Sequence, residues 1–136
     1  MQIKTLDGYH QNWSLTGHSA HAKLKNKSSL HISAREVLKE SYPTLYILEE
    51  VPVPIKKTDT LYFDFFIPIL KTVVEVHGEQ HYKFVPFYHS TMLGFLKSKK
   101  RDLSKIEWCD LNQIKYIEFP YHENLEQWKS RLNDAR

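Results

Sequence analysis

Residues 62–82 read YFDFFIPILKTVVEVHGEQHY, and the fold follows from how this stretch alternates. Leu61–Ile67 and Thr72–Val76 are β-like runs of aromatic and branched residues on either side of a turn at Pro68–Lys71. Asp64 interrupts the first run, and Glu75-Val76-His77 closes the second. Successive strand side chains point to opposite faces, so Glu75 and His77 share a face while Val76 turns to the packed side. Pairing the two runs as a hairpin sets Asp64 across from that pair. Two acids and a third polar group converging at a strand end form an oxygen-rich site suited to Mg²⁺.

Working outward, Leu30, Ala34, Val37 and Leu38 recur at helical spacing from Ser29, with Ser33 and Glu36 at capping-box distance. Tyr42-Pro43 ends this helix, because proline disfavours a helical residue before it. Thr44–Val53 reads as a strand, and Pro52 and Pro54 mark it as an edge or a strand end. Downstream, a long helix is expected from about Thr91 to Leu111, with Leu96, Leu103, Ile106 and Cys109 on its apolar stripe and lysines around its other faces. Lys115–Phe119 is a further strand stopped by Pro120, and Asn124–Leu132 a last helix with Leu125, Trp128 and Leu132 on one face. The long helix supplies the crossover that two parallel strands require. The expected class is α/β, a mixed central sheet flanked by helices.

Residues 1–28 are polar, rich in His, Lys, Gly and Ser, and show no sustained period. They read as an N-terminal arm, either loosely ordered or packed as an extension on the domain or on a ligand. Residues 29–136 form the domain proper. With 136 residues, 41% hydrophobic and 26% charged, the chain is one ordinary globular domain able to bury a core. The net charge of +3 is compatible with nucleic acid but too mild to prove it. Cys109 is the single cysteine, which excludes a disulfide framework and a Cys-rich zinc ribbon. With no run of ~18 apolar residues and no signal-peptide pattern, the expectation is a soluble, cytoplasmic protein without membrane contact.

The order αβββαβ over about residues 29–119, with acids on the second and third strands, resembles the PD-(D/E)XK nuclease superfamily and its restriction-endonuclease-like core. EVHGEQHY followed by KRDLSK is similar to a phage and homing-endonuclease branch related to very-short-patch repair endonucleases. That branch carries an acid on the first helix, an Asp on a strand, an x-His pair on the next strand and an Asp on the following helix. Glu36, Asp64, Val76-His77 and Asp102 occupy those places in order. His77 stands where the superfamily usually has lysine, and Glu75 restores a strand acid that the repair enzymes lack. Their zinc-binding cysteines are absent, and no separate DNA-reading module is visible. The resemblance implies a metal-dependent endonuclease acting on DNA, in the host cytoplasm if phage-encoded.

On this reading Asp64, Glu75 and the Val76 carbonyl hold one Mg²⁺, with Mn²⁺ as a substitute. The plain alternative is a pair of strand acids facing solvent or a lysine. His77 or His81 assists proton transfer, and residue spacing leaves the two open. Glu36 and Asp102 bind a second cation through water or orient the histidine, although both have basic neighbours that would suit an ordinary helix surface. Gln80 orients water or phosphate. Lys97, Lys99, Lys100, Arg101 and Lys105 contact the DNA backbone, unless the run is only a solvated helix face. Zinc held by His77, His81 and His89, or by His18 and His21, is the lesser option because nearby carboxylates favour a harder cation. Competing functions are a non-catalytic nucleic-acid-binding module and a protein-interaction domain. Cleaving both strands at once would call for a homodimer or an additional DNA-reading subunit.

Overall fold

The structure is a computed structural model, and it describes residues 1–15 and 28–134. A short antiparallel hairpin, β1 (Gln2–Lys4) and β2 (His10–Asn12), precedes α1 (Ser29–Ser41). β3 (Leu48–Lys56), β4 (Asp59–Ile67) and β5 (Thr72–His77) follow, then the short α2 (Pro86–His89) and the long α3 (Met92–Leu111). β6 (Lys115–Pro120) and α4 (Leu125–Asp134) complete the chain. The sheet order is β3-β4-β5-β6, antiparallel except for the parallel pair β5/β6. The protein is mixed α/β, with a mixed four-stranded sheet flanked by helices.

Each face of the sheet has its own core. On one face Ala34, Val37 and Leu38 of α1 and Trp128 and Leu132 of α4 pack against Phe65, Val74 and Phe119. On the other, Trp108 and Cys109 of α3 and Ile3 and Trp13 of the N-terminal hairpin cover Val51, Val53, Phe63 and Val73. Residues 1–15 therefore take the second of the two expected forms, an extension packed on the domain. Trp13 is 2% exposed, meets Trp108 edge-on at 5.1 Å and donates its indole N–H to the Pro52 carbonyl at 2.7 Å. Three buried side chains, Ile3, Thr5 and Trp13, on a polar segment leave no sustained period for a sequence reading to detect.

Three other expectations shift. The strand foreseen at Thr44–Val53 starts at Leu48 and runs through both prolines to Lys56. It can do so because β3 is an edge strand, where a missing N–H breaks no ladder bond on the open side. Helix α1 is capped by Ser28, whose hydroxyl accepts the His31 N–H at 3.1 Å, a turn ahead of the Ser33–Glu36 spacing. Helix α3 has the expected bounds with Thr91 as its cap, but a different azimuth. Leu96, Leu103 and Ile106 are 56%, 59% and 43% exposed, while Trp108 and Cys109 are buried. That rotation brings Lys105 to Glu75 of β5 and Asp102 to His81 just beyond the end of that strand.

Strands β3 and β4 change phase together. Leu48 and Val51, three residues apart, pack in one cluster, as do Phe63 and Phe66. Strict alternation would put each pair on opposite faces. The change falls at Glu49–Glu50, where Glu50 takes a left-handed φ of 53°, and opposite it at Asp64–Phe65. This irregularity turns Glu49 into the protein and opens the sheet at Asp64.

Candidate functional site

The β4/β5 ladder pairs Phe65 with Val74, Phe66 with Val73 and Ile67 with Thr72, and stops there. Asp64 and Glu75 occupy the next register position, but carboxylates replace backbone carbonyls in the rungs. Glu75 Oε2 accepts the Asp64 N–H at 2.9 Å, and Asp64 Oδ2 accepts the Val76 N–H at 2.8 Å. β5 meanwhile stays paired to β6 as far as His77–Pro120. The two strands part here, and the acids fill the gap. Burial, with the Glu75 charge adding to it, pushes the Asp64 carboxyl up to about 8.

Lys105 of α3 completes this pair. Its ammonium lies 2.5 Å from Glu75 Oε1, with 16% of the side chain exposed against 2% for Glu75. Burial alone would lower its pKa, but Glu75, Asp64 and Asp102 outweigh burial and hold it above its ordinary value. Lys105, expected on phosphates, sits among these acids and lines the same cleft.

The acids open into a cleft of about 440 Å³ that Val76, Gln80, His81 and Lys105 also line. Carboxylate oxygens such as those of Asp64 and Glu75 are ligands of the kind a hard divalent cation takes. Three of the four are already engaged, Glu75 Oε1 by Lys105, Glu75 Oε2 by the Asp64 N–H and Asp64 Oδ2 by the Val76 N–H, so a cation on the expected ligands Asp64, Glu75 and the Val76 carbonyl would compete with Lys105 for Glu75. His31, Glu50 and Asp64 form a second grouping, with ligand atoms within 4.8 Å of one another.

Helix α1 contributes residues other than the expected one. Glu36 is exposed and lines none of the hollows near the acids. His31 and Arg35 face inward instead, onto the buried Glu49. Arg35 donates to both Glu49 oxygens, at 3.1 and 2.7 Å, and His31 Nε2 bonds the same carboxylate. Burial works against the Glu49 charge, yet His31 and Arg35 hold its pKa below the ordinary range. The His31 ring stacks on Phe65 at 4.7 Å, and its Nδ1 lies 4.0 Å from Asp64 Oδ1. The Glu49-Glu50 pair at the foot of an apolar strand was the available signal for this network.

His77 and His81 stack with ring centroids 4.1 Å apart. His77 is 6% exposed and bound on both nitrogens, Nδ1 to Glu118 at 2.9 Å and Nε2 to the Tyr116 hydroxyl at 3.2 Å. Glu118 also accepts the Tyr82 hydroxyl. The His77 bond, aided by Tyr82, pulls Glu118 down to about 2. His81 lies in front, lines the cleft, and is held by Asp102 through Nδ1 at 3.0 Å. Asp102 stays below the usual carboxylate range because His81 outweighs its burial. His77, His81 and Asp102 also lie close enough to share a cation, without His89; His18 and His21 fall outside the described residues.

Of the basic run, Lys97, Lys100 and Arg101 line a hollow beside the cleft, whereas Lys99 reaches over the Tyr82 ring at 5.7 Å. A further hollow of about 720 Å³ lies between α3, β6 and α4, lined by Tyr116 and Glu118, the partners of His77, and by neither Asp64 nor Glu75. No described helix is long and apolar enough to cross a membrane.

No protein-family profile matches the chain, and no solved structure matches it. Over 61 residues, 45% of this chain and 31% of the relative, it is 41% identical to uncharacterized protein 307L of Invertebrate iridescent virus 6. Over 63 residues, 46% of this chain and 32% of the relative, it is 35% identical to uncharacterized protein 033L of Invertebrate iridescent virus 3. The match thus spans about a third of the length of these curated relatives. Their names assign no activity.

Proposed function

We propose that the chain is a divalent-metal-dependent nuclease of the PD-(D/E)XK kind that hydrolyses phosphodiester bonds in DNA. The observation that carries this reading is the replacement of ladder rungs by the Asp64 and Glu75 carboxylates where β4 and β5 part. A sheet does not gain stability from two acids in that place, so their arrangement points to a cationic ligand. The helix and strand order and the mixed sheet support a restriction-endonuclease-like core.

Asp64, Glu75 and the Val76 carbonyl would hold Mg²⁺ or Mn²⁺, which when bound supplies a Lewis acid and an acidified water. Lys105 pairs with Glu75 and places a positive charge where a scissile phosphate would sit. His81 faces the cleft, oriented by Asp102, and is the residue placed to accept or return a proton. His77 serves behind it as a positioning residue, fixed by Glu118 and Tyr116. The viral source of the relatives supports a role in infected cells. Concerted cutting of both strands would take a second copy or another DNA-reading subunit.

The test is supercoiled plasmid incubated with Mg²⁺ or Mn²⁺, with EDTA as control. Metal-dependent nicking is expected, with Asp64→Ala slower by at least ~10²-fold. Undiminished cleavage by that variant, with contaminants excluded, overturns the assignment. DNA binding without nicking under any metal would favour the binding-module alternative, for which the Lys105–Glu75 pair is the relevant observation, since it already neutralises one acid internally.

A further inference from the structure

A basic hollow continues the cleft away from the acids. The cleft holding Asp64 and Glu75 shares Gln80, His81, Tyr88 and Lys105 with a neighbouring hollow of about 420 Å³. That hollow in turn shares Leu61 and Arg101 with a third, of about 260 Å³. Lys56 at the end of β3 and Lys97, Lys100 and Arg101 of α3 line the third hollow, against Asp59 as its one carboxylate. Four cations and one acid leave a net charge of +3.

Several cations elsewhere in the molecule are already neutralised. Lys105, Lys83, Lys129, Arg35 and Arg131 each sit on a carboxylate. Among the described residues Lys97, Lys100 and Arg101 are in no ion pair. Like charges gathered from two separate elements repel one another, and a bound anion relieves that cost. Lys105, Arg101 and Lys97 follow at four-residue intervals, so one side of α3 runs from the acids to this hollow. Eight residues of helix cover ~12 Å. One strand of B-form DNA advances that far in roughly three to four nucleotides.

We propose that this hollow is a phosphate-binding subsite for the nucleic-acid backbone, gripping the strand several nucleotides from the bond held at Asp64 and Glu75. The inference rests on the nuclease reading for its substrate class. It adds Lys56 and the β3–β4 turn to the interface, and it makes Asp59 a restraint on affinity.

The experiment measures binding of a fluorescein-labelled single-stranded oligonucleotide by anisotropy across salt concentrations, in EDTA so that no cleavage occurs. The combined variant Lys56→Ala/Lys97→Ala/Lys100→Ala should show a log–log salt slope shallower by roughly 1.5–2, since each phosphate contact on a single strand contributes about 0.7. Asp59→Asn should bind a few-fold more tightly. Lys115→Ala serves as the charge control, because Lys115 begins β6 at the end of the sheet opposite His77. A dinucleotide, too short to reach both places, should bind the wild type far more weakly than the longer oligonucleotide and show a smaller loss of salt slope in the triple variant.

A triple variant with unaltered slope overturns the subsite, as does an equal per-charge loss in Lys115→Ala. Saturation of the hollow by inorganic phosphate, with no gain from oligonucleotide length, also overturns it by making the hollow a small-anion site. A protein that binds as expected but never cleaves keeps the subsite and loses the nuclease reading. Cleavage with an unaltered slope in the triple variant has the reverse meaning.

Discussion

Replacing Asp64 by Asn tests the electrostatics of the cleft directly. Asn has the shape of a protonated Asp, keeps an oxygen for the Val76 N–H and offers N–H groups to Glu75. The folded protein holds a proton on Asp64 up to about pH 8, whereas an unfolded chain releases it near 3.8. Between those values the folded state binds more protons than the unfolded state, so this residue makes stability fall as pH rises. From 3.8 to about 8 is roughly four decades of proton affinity, and ~1.4 kcal/mol per decade sets a ceiling of ~6 kcal/mol. The Asp64 side chain retains 28% exposure, so solvent screening brings this to about half, ~3 kcal/mol, as the working figure. Urea unfolding of wild type and Asp64→Asn should therefore agree near pH 4 and diverge toward pH 8, with the variant more stable by ~3 kcal/mol. Titrating groups away from the cleft are common to both proteins and cancel in the difference. Adding Mg²⁺ at pH 8 should stabilise the wild type, by ~2.7 kcal/mol at a hundred times its Kd, and leave the variant nearly unchanged. A stability difference that is flat with pH, or that favours the wild type at pH 8 without metal, would refute the reasoning.

Two further perturbations probe the supports of the cleft. Glu49→Gln leaves Arg35 and His31 around a neutral acceptor and should cost ~3 kcal/mol at pH 7 in urea unfolding. Because the Glu49 pKa is lowered in the fold, its contribution is present above the ordinary glutamate range and vanishes as pH falls through the folded value; a deficit that persists in strong acid would contradict this. Trp13→Ala removes the anchor of the N-terminal hairpin and should destabilise by ~3–5 kcal/mol. An unchanged urea midpoint would mean that the hairpin is no part of the core.

Much of the architecture was legible because it depends on local periods. Alternation placed Asp64 opposite Glu75, and proline at 43, 68 and 120 bounded elements where the structure bounds them. What escaped were features without a local period. The N-terminal hairpin is anchored chiefly by Ile3 and Trp13, too few and too far apart to make a period, and the phase change at Glu49–Glu50 breaks the very alternation used to read strands. The azimuth of α3 was misread because its apolar stripe at Leu96 and Leu103 faces outward, whereas Trp108 decides which side packs.

The amino-acid sequence by itself therefore determined the main elements after the N-terminal hairpin, their order, and the two carboxylates on facing strands, since side-chain direction along a strand is a property of neighbouring residues. Only the tertiary structure decided what surrounds those carboxylates. Lys105 reaches Glu75 across 30 positions of chain because Trp108 and Cys109 dock α3 on the sheet at one rotation. His31 and Arg35 displace Glu36 because α1 buries the face that carries them, and His81 rather than His77 meets the cleft because Glu118 and Tyr116 draw His77 inward. These choices are made by packing between distant segments, and no spacing within a segment encodes them.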